Sequence, residues 1–424
     1  MKDFVRKNIV LVIACIAAVL TCFIVPPDDA YLGYVDVKTI ACLFSILAVV
    51  GAMRNLGMFQ YAARKIILGF HDCRAAVCAL VGVTMVISMV ATNDMALIMM
   101  LPLSAATLLA AGWGKALPFT FIMQNLAANL GGMILPFGNP QNLYLFEYFH
   151  LGLTEFLAAM SIPFAASLAM IAVCCLSGVA VIPSPHADRE DRPHANFRIR
   201  SKKEATPHHF LHFDDRAKRR LSAAVYVALM LLVILSVFRL VPYVVSTAVV
   251  VVVLGFMDRK AVQTLDYGLL LTFVFFFIFA GNMARIPAVD QLLSSLMIQW
   301  PLAVSAGLSQ VISNVPAAVL LSHFTTAWQD LLVGVNIGGA GTIVGSLASL
   351  ITLQHYRSIR RETDAAIDAL AANPALADGP AGKKDLDALG VPEEKLPRTA
   401  SFIFDMTVYN VAFLLVLFAV CSIT

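Results

Sequence analysis

Apolar runs of about 18 residues or more recur along this chain, the first from Asn8 to Val25. Each is long enough, at 1.5 Å per helical residue, to cross a hydrocarbon layer about 30 Å thick. Of the 424 residues, 59% are apolar and 13% are charged, whereas soluble domains carry about 25% charged residues. A conventional water-soluble globule is excluded. The fold class is therefore an all-α polytopic membrane protein.

The first run follows Lys2, Arg6 and Lys7, as a signal peptide would, but it ends in Pro26-Pro27-Asp28-Asp29 without a small-residue cleavage pattern. A retained helix is the preferred reading. Of the eight cysteines, Cys15, Cys22, Cys42, Cys78, Cys174, Cys175 and Cys421 sit in apolar runs without metal-ligand spacing, and they read as packing residues.

Lys and Arg orient the chain. Ten lie between Ser184 and Arg220 and seven between His355 and Ala400, and both segments should be cytoplasmic. The N-terminus and the turn around Arg54, Arg64, Lys65 and Arg74 belong with them. Pro26 to Tyr31 and Glu147 to Leu151 contain neither residue and should face out. Crossings fit at about 8 to 25, 32 to 51, 117 to 149 (interrupted), 152 to 182, 219 to 238, 242 to 257, 265 to 285, 331 to 354 (interrupted) and 402 to 423. The stretch 76 to 111 fits two crossings or one re-entrant hairpin, and 290 to 330 is a second hairpin candidate. With two hairpins the N-terminus lies inside and the C-terminus outside. Arg239 and Arg285 then fall on the outer side, where the charge rule is obeyed least.

Three features of the first half recur in order in the second. Asp36 precedes Gly51 and Met53 as Asp266 precedes Gly281 and Met283. Thr92-Asn93-Asp94 is answered by Ser313-Asn314-Val315. Asn129-Leu-Gly-Gly leads to Gly138-Asn139-Pro140-Gln141-Asn142, and Asn336-Ile-Gly-Gly leads to Gly345-Ser346-Leu347-Ala348. The two copies run in opposite directions across the membrane. Inverted repeats of this kind place a substrate site at the midplane, where broken helices from both halves meet.

The solvent explains the motifs. A non-helical turn at membrane depth survives only when buried in protein or lining a wet cavity. Gly131, Gly132, Gly138 and Pro140, with Gly338, Gly339, Gly341 and Gly345, supply such breaks. Helix ends there offer carbonyls to a cation and N–H groups to an anion. Asn adds an acceptor and a donor at one position. The combination suits a sodium ion beside a carboxylate-like or other oxyanion. Asp94 marks an ion or proton pathway or caps a helix at the hairpin tip. Asp36 and Asp266 read as helix caps. His323 reads as a packed or interfacial histidine, the histidines of the 184–218 loop (His186, His194, His208, His209, His212) as solvated, and Trp113, Trp300 and Trp328 as interfacial.

Ala91-Thr-Asn-Asp-Met-Ala-Leu with Leu101-Pro102, then Pro136-Phe-Gly-Asn-Pro-Gln-Asn142, then Ser313-Asn-Val-Pro316, resemble the ion transporter superfamily. That grouping includes divalent anion/sodium symporters, citrate transporters, arsenite-pump membrane subunits and sodium/proton antiporters. The resemblance covers about residues 32 to 354 plus the last helix. It implies a dimeric elevator-type transporter with two re-entrant hairpins and two broken transmembrane helices. It further implies substrate contacts from Thr92, Asn93, Asp94, Asn139, Pro140, Ser313, Asn314 and Val315. The implied cation contacts, with sodium possible, are Asn93, Gly138, Asn142, Asn314, Gly345 and Ser346. At the tips the dicarboxylate branch carries Ser-Asn-Thr. Asp94 and Val315 depart from it, and Gly345-Ser346-Leu347-Ala348 is similar to the arsenite-pump type.

The expected organisation is a membrane repeat over 1–183, a basic loop over 184–218, a second repeat over 219–354, a cytoplasmic loop over 355–400 and a last helix over 401–424. The expected function is secondary active transport of an anion, coupled to sodium or protons, in the cell's inner membrane. The alternatives are a sodium/proton antiporter and an arsenite efflux permease. The expected partners are a small anionic solute, the lipid bilayer and a second copy of the chain, with no nucleic acid and no cofactor beyond the coupling ion. An ATPase subunit, as in arsenite pumps, stays open. No His-Glu-x-x-His helix, Gly-x-Ser-x-Gly elbow or phosphate-binding Gly-x-x-x-x-Gly-Lys-Ser/Thr loop is present, so an enzyme is not expected.

Overall fold

The computed structural model describes residues 9–67, 72–179, 216–372 and 395–423. Most of the 184–218 loop with its histidines, and the middle of 355–400, lie outside the described residues. Among the described residues the chain is built from helices.

The first half comprises α1 (Ile9–Ile24), α2 (Val37–Asn55), α3 (Met58–Ile67), α4 (Cys73–Ala91), α5 (Asn93–Ala110), α6 (Leu117–Gly131), α7 (Pro140–Tyr148) and α8 (Leu153–Gly178). The second comprises α9 (Arg216–Val237), α10 (Tyr243–Met257), α11 (Arg259–Gln263), α12 (Tyr267–Ala284), α13 (Pro287–Gln299), α14 (Pro301–Ile312), α15 (Asn314–Leu321), α16 (Trp328–Gly338), α17 (Leu347–Ala372) and α18 (Thr399–Ile423). Seven of them, α2, α4, α5, α8, α9, α12 and α18, are long and apolar enough to cross a membrane by length and composition. The chain is a multi-pass membrane protein.

Local chemistry sets the helix ends where the repeat expects them. Asp36 accepts from the Thr39 N–H at 3.1 Å to start α2, and Asp266 accepts from the Leu269 N–H at 3.0 Å to start α12. Both caps are as the sequence reading has them. Helices α3 and α13 then occupy equivalent places in chain order, each between one of these helices and a hairpin.

Two segments differ from expectation. The expected hairpin at 290–330 contains a helix end, because Pro301 cannot continue α13 and opens α14 instead. The hairpin itself is α14 and α15. The helix expected to finish near 354 runs on to Ala372, so the start of the expected loop is helical. Its extension is fastened to α18: Tyr356 stacks on Phe402 at 3.9 Å and donates to the Pro397 carbonyl. Trp113 is buried in the core rather than interfacial, whereas Trp300 is exposed at the α13–α14 corner.

The two hairpins have unequal arms. At 1.5 Å per residue, α4 and α5 (19 and 18 residues) span about 28 and 27 Å, whereas α14 and α15 (12 and 8 residues) span about 18 and 12 Å. By length the first pair can cross the bilayer in full, and the second cannot. The helices fall into two packed groups. In one, α2 packs on α9 and α10, and α12 packs on α1. In the other, the α4–α5 hairpin packs on α6, the α14–α15 hairpin on α16, and α17 on α5 and α6. The groups meet where α2 touches α7 and α12 touches α15.

Candidate functional site

Each hairpin turns on one residue. Thr92 (φ 65°, ψ 152°) joins α4 to α5, and Ser313 (φ 75°, ψ 157°) joins α14 to α15. Neither is glycine, yet that region is nearly glycine-only and costs about 1–3 kcal/mol to occupy. The next residue also acts alike at both tips. Asn93 Oδ1 accepts from the Asp94 N–H at 2.9 Å, and Asn314 Oδ1 accepts from the Val315 N–H at 2.9 Å. A helix N-terminus therefore opens at each tip.

Opposite the tips lie the two breaks. After α6 a short 3-10 turn, Gly132–Ile134, leads to Asn139, which is extended (φ −137°, ψ 147°) because Pro140 follows it. Gly138 lies against the Gly132 carbonyl, and a Cβ there has no room. Asn142 Nδ2 reaches three carbonyls freed by the break, those of Gly132 (3.4 Å), Met133 (3.1 Å) and Leu135 (3.4 Å). In the other half Gln310 does this work from the hairpin. It donates to the Gly338 carbonyl at 2.8 Å and accepts from the Thr342 N–H at 2.7 Å.

The two halves are bonded reciprocally. Asn129 Oδ1 accepts from Asn93 Nδ2 at 3.0 Å and from Ser346 Oγ at 2.7 Å. In the mirrored place Asn336 Nδ2 donates to Asn142 Oδ1 at 2.6 Å, and Gln141 Nε2 donates to Asn336 Oδ1 at 3.3 Å. One turn before Asn129, Asn125 Nδ2 donates to Ser349 Oγ at 3.2 Å. All of these side chains are buried. Each helix before a break thus holds the segment after the other half's break.

Close approach requires small residues at the contact. A Cβ on Gly131 would sit 2.6 Å from Ser88 Oγ, and one on Gly338 would sit 2.7 Å from Ser309 Cβ. These are the same positions of the repeat.

The structure brings most of the expected residues together. Asn93, Asn129 and Ser346 form one chain of bonds. Asn139 Nδ2 donates to the Asn129 carbonyl at 3.4 Å, and Asn314 N–H and Ser313 Oγ both reach the Gly345 carbonyl, at 3.1 and 3.3 Å. Pro140 starts α7, and Val315 offers its backbone rather than a polar side chain. Asp94 Oδ1 and Asn139 Oδ1 are buried without a hydrogen-bond partner. Asn142 has its amide fully engaged, since Oδ1 is held by Asn336. His323 is partly buried, its Nδ1 3.4 Å from the Tyr148 hydroxyl. Absent from the expected site were Asn125, Gln141 and Gln310, together with binding roles for Asn129 and Asn336. The available signal was an amide inside an apolar run, with Asn125 and Asn129 one turn apart on one helix face.

Known membrane transporters match this chain over most of its length. Residues 3–333 match the family model described as Citrate transporter. The chain is 31% identical to an uncharacterized transporter of Methanocaldococcus jannaschii, over 76% of this chain and 81% of that protein. It is 28% identical to the inner membrane protein YbiR of Escherichia coli, over 76% of this chain and 80% of that one. A silicon efflux transporter of Oryza sativa subsp. japonica is 31% identical over 29% of this chain and 24% of its own length. On the matched family and on its helical, internally repeated structure, the chain belongs to the citrate transporter family of membrane transporters.

Proposed function

We propose that the protein is a secondary active transporter of an anion, of di- or tricarboxylate or other oxyanion type, coupled to sodium or protons. The observation that carries this reading is the reciprocal bonding of the halves, Asn129 to Ser346 and Asn336 to Asn142, behind two matching tips. Two helix N-termini at those tips supply N–H donors and partial positive charge for an anion. Asn139 Oδ1 is a buried acceptor without a donor, which fits a cation or a protonated group at the first break. In this reading both hairpins are re-entrant, and α4 to α8 with α14 to α18 travel past the other group as an elevator. The chain works as a homodimer in the inner membrane, with its N-terminus inside and its C-terminus outside.

Purified protein in liposomes tests the proposal. Labelled citrate or succinate should accumulate when a sodium or proton gradient is imposed, and Asn93→Ala or Asn314→Ala should abolish uptake while the protein stays folded. Wild-type uptake in both variants would overturn the site. One observation favours a second reading: Asp94 carries a buried, unpartnered carboxylate oxygen at the first tip. Sodium/proton exchange through Asp94 predicts proton flux that requires sodium and no organic anion.

A further inference from the structure

At the end of the molecule expected to face out, Glu147 closes α7 just downstream of the first break. It is 3% exposed. Its Oε2 takes two cations, Lys38 Nζ at 2.6 Å and Arg239 Nε at 3.4 Å. Arg239 also donates from Nη2 to the Phe146 carbonyl at 3.0 Å and lies over the Phe146 ring at 5.4 Å. It does so from a left-handed backbone, φ 63°, on the turn between α9 and α10.

These contacts join the two helix groups. Lys38 is in the first turn of α2 and Arg239 follows α9, whereas α7 packs on α15 and α16. Beside the ion pairs the seam is open. A cavity of about 240 Å³ lies there, with Tyr144, Tyr148, His150 and His323 on its lining beside Lys38 and Glu147. Among the described residues the repeat does not keep this charge pair at the matching positions of the second half. In its register Lys38 corresponds to Gly268 and Glu147 to Gln354.

We infer that Lys38, Glu147 and Arg239 form a one-sided electrostatic latch that holds the α7 group against the α2–α9–α10 group at the outer end. Sliding the groups past each other strips the carboxylate of both cations. A buried charge that loses its partners is costly, so the latch stabilises the arrangement seen here and raises the barrier out of it. The inference rests on the proposed elevator motion.

The test measures motion without substrate. Spin labels go on Val251→Cys of α10 and Val416→Cys of α18, both exposed. The eight native cysteines are replaced, and labelled chains are diluted with unlabelled ones. Glu147→Gln should raise the population of a second label distance by about tenfold. Lys38→Gln combined with Arg239→Gln should do the same, and carries the test if Glu147→Gln does not fold. Glu155→Gln, which removes a carboxylate at the same end but outside the cluster, should leave the distances unchanged. An identical distance distribution in the parent and the latch variants would overturn the inference. Failure of parental protein to transport any anion or ion would instead sink the functional reading, while the distances still decide the latch.

Discussion

Thr92 and Ser313 hold the same left-handed backbone, φ 65° and ψ 152° in one and φ 75° and ψ 157° in the other, at the turning points of two hairpins from opposite halves of the chain.

That geometry inverts the usual ranking of Ala and Gly. Both remove the hydroxyl, but only glycine occupies this region without steric cost. At each tip the Gly variant should therefore melt above the Ala variant in detergent, by the equivalent of about 1–3 kcal/mol. Equal melting temperatures would show that the tips are unstrained.

Asn129 binds a tip to the opposite break. Asn129→Ala strands the donors Asn93 Nδ2 and Ser346 O–H in a buried site, at about 1–3 kcal/mol for each unsatisfied group. Ser346→Ala leaves Asn129 Oδ1 still bonded to Asn93 and should cost less. Thermal melts should rank wild type above Ser346→Ala and Ser346→Ala above Asn129→Ala, and transport should fall in the same order.

Two glycines of the second half should respond oppositely to Ala. Gly338→Ala forces a Cβ to within 2.7 Å of Ser309 Cβ and should destabilise by about 1–3 kcal/mol. Gly307 on α14 is exposed, with nothing within 4 Å of a new Cβ. There Ala should stabilise the helix by up to about 1 kcal/mol, because Gly is the poorer helix former. Differential melting of the two variants checks both signs.

Asp94→Asn keeps the shape of the side chain and removes its charge. If Asp94 carries the coupling ion, anion uptake should persist while its dependence on pH or sodium changes. Uptake measured across a pH series, with and without sodium, separates this from a substrate contact, whose removal would lower uptake under every condition.

The bidentate pair of Asp28 with Arg285, at 2.6 and 2.9 Å, gives a pH signature outside the membrane. The Arg285 guanidinium holds the Asp28 carboxyl below its usual value of 3.8. A depressed carboxyl stabilises the fold above its unfolded pKa, and the gain disappears as pH falls through the lower folded value. Wild type should melt slightly above Asp28→Asn at pH values above the unfolded carboxyl pKa, and the two should converge as the pH falls below the lowered folded value. The pair is exposed, so the difference should also shrink with added salt.

Much of the fold was legible because its causes are local. A long apolar run has few ways to satisfy its backbone in lipid, so α2, α8 and α12 could be placed by length alone. Asp36 and Asp266 cap helices through bonds to a residue three positions on. The repeat needed only register to pair Thr92 with Ser313 and Gly131 with Gly338. The charge rule, by contrast, fitted worst at Arg239 and Arg285. Their partners, Glu147 and Asp28, lie 92 and 257 positions away, and no pattern along the chain joins them. The site divides the same way. An Asn inside an apolar run shows that some polar contact is needed, and the sequence by itself determined that much. Which contact is formed, Asn129 to Ser346 or Asn336 to Asn142, was decided only by the tertiary structure. Helical periodicity specifies the face a side chain presents, while the neighbour it meets depends on how separate helices pack.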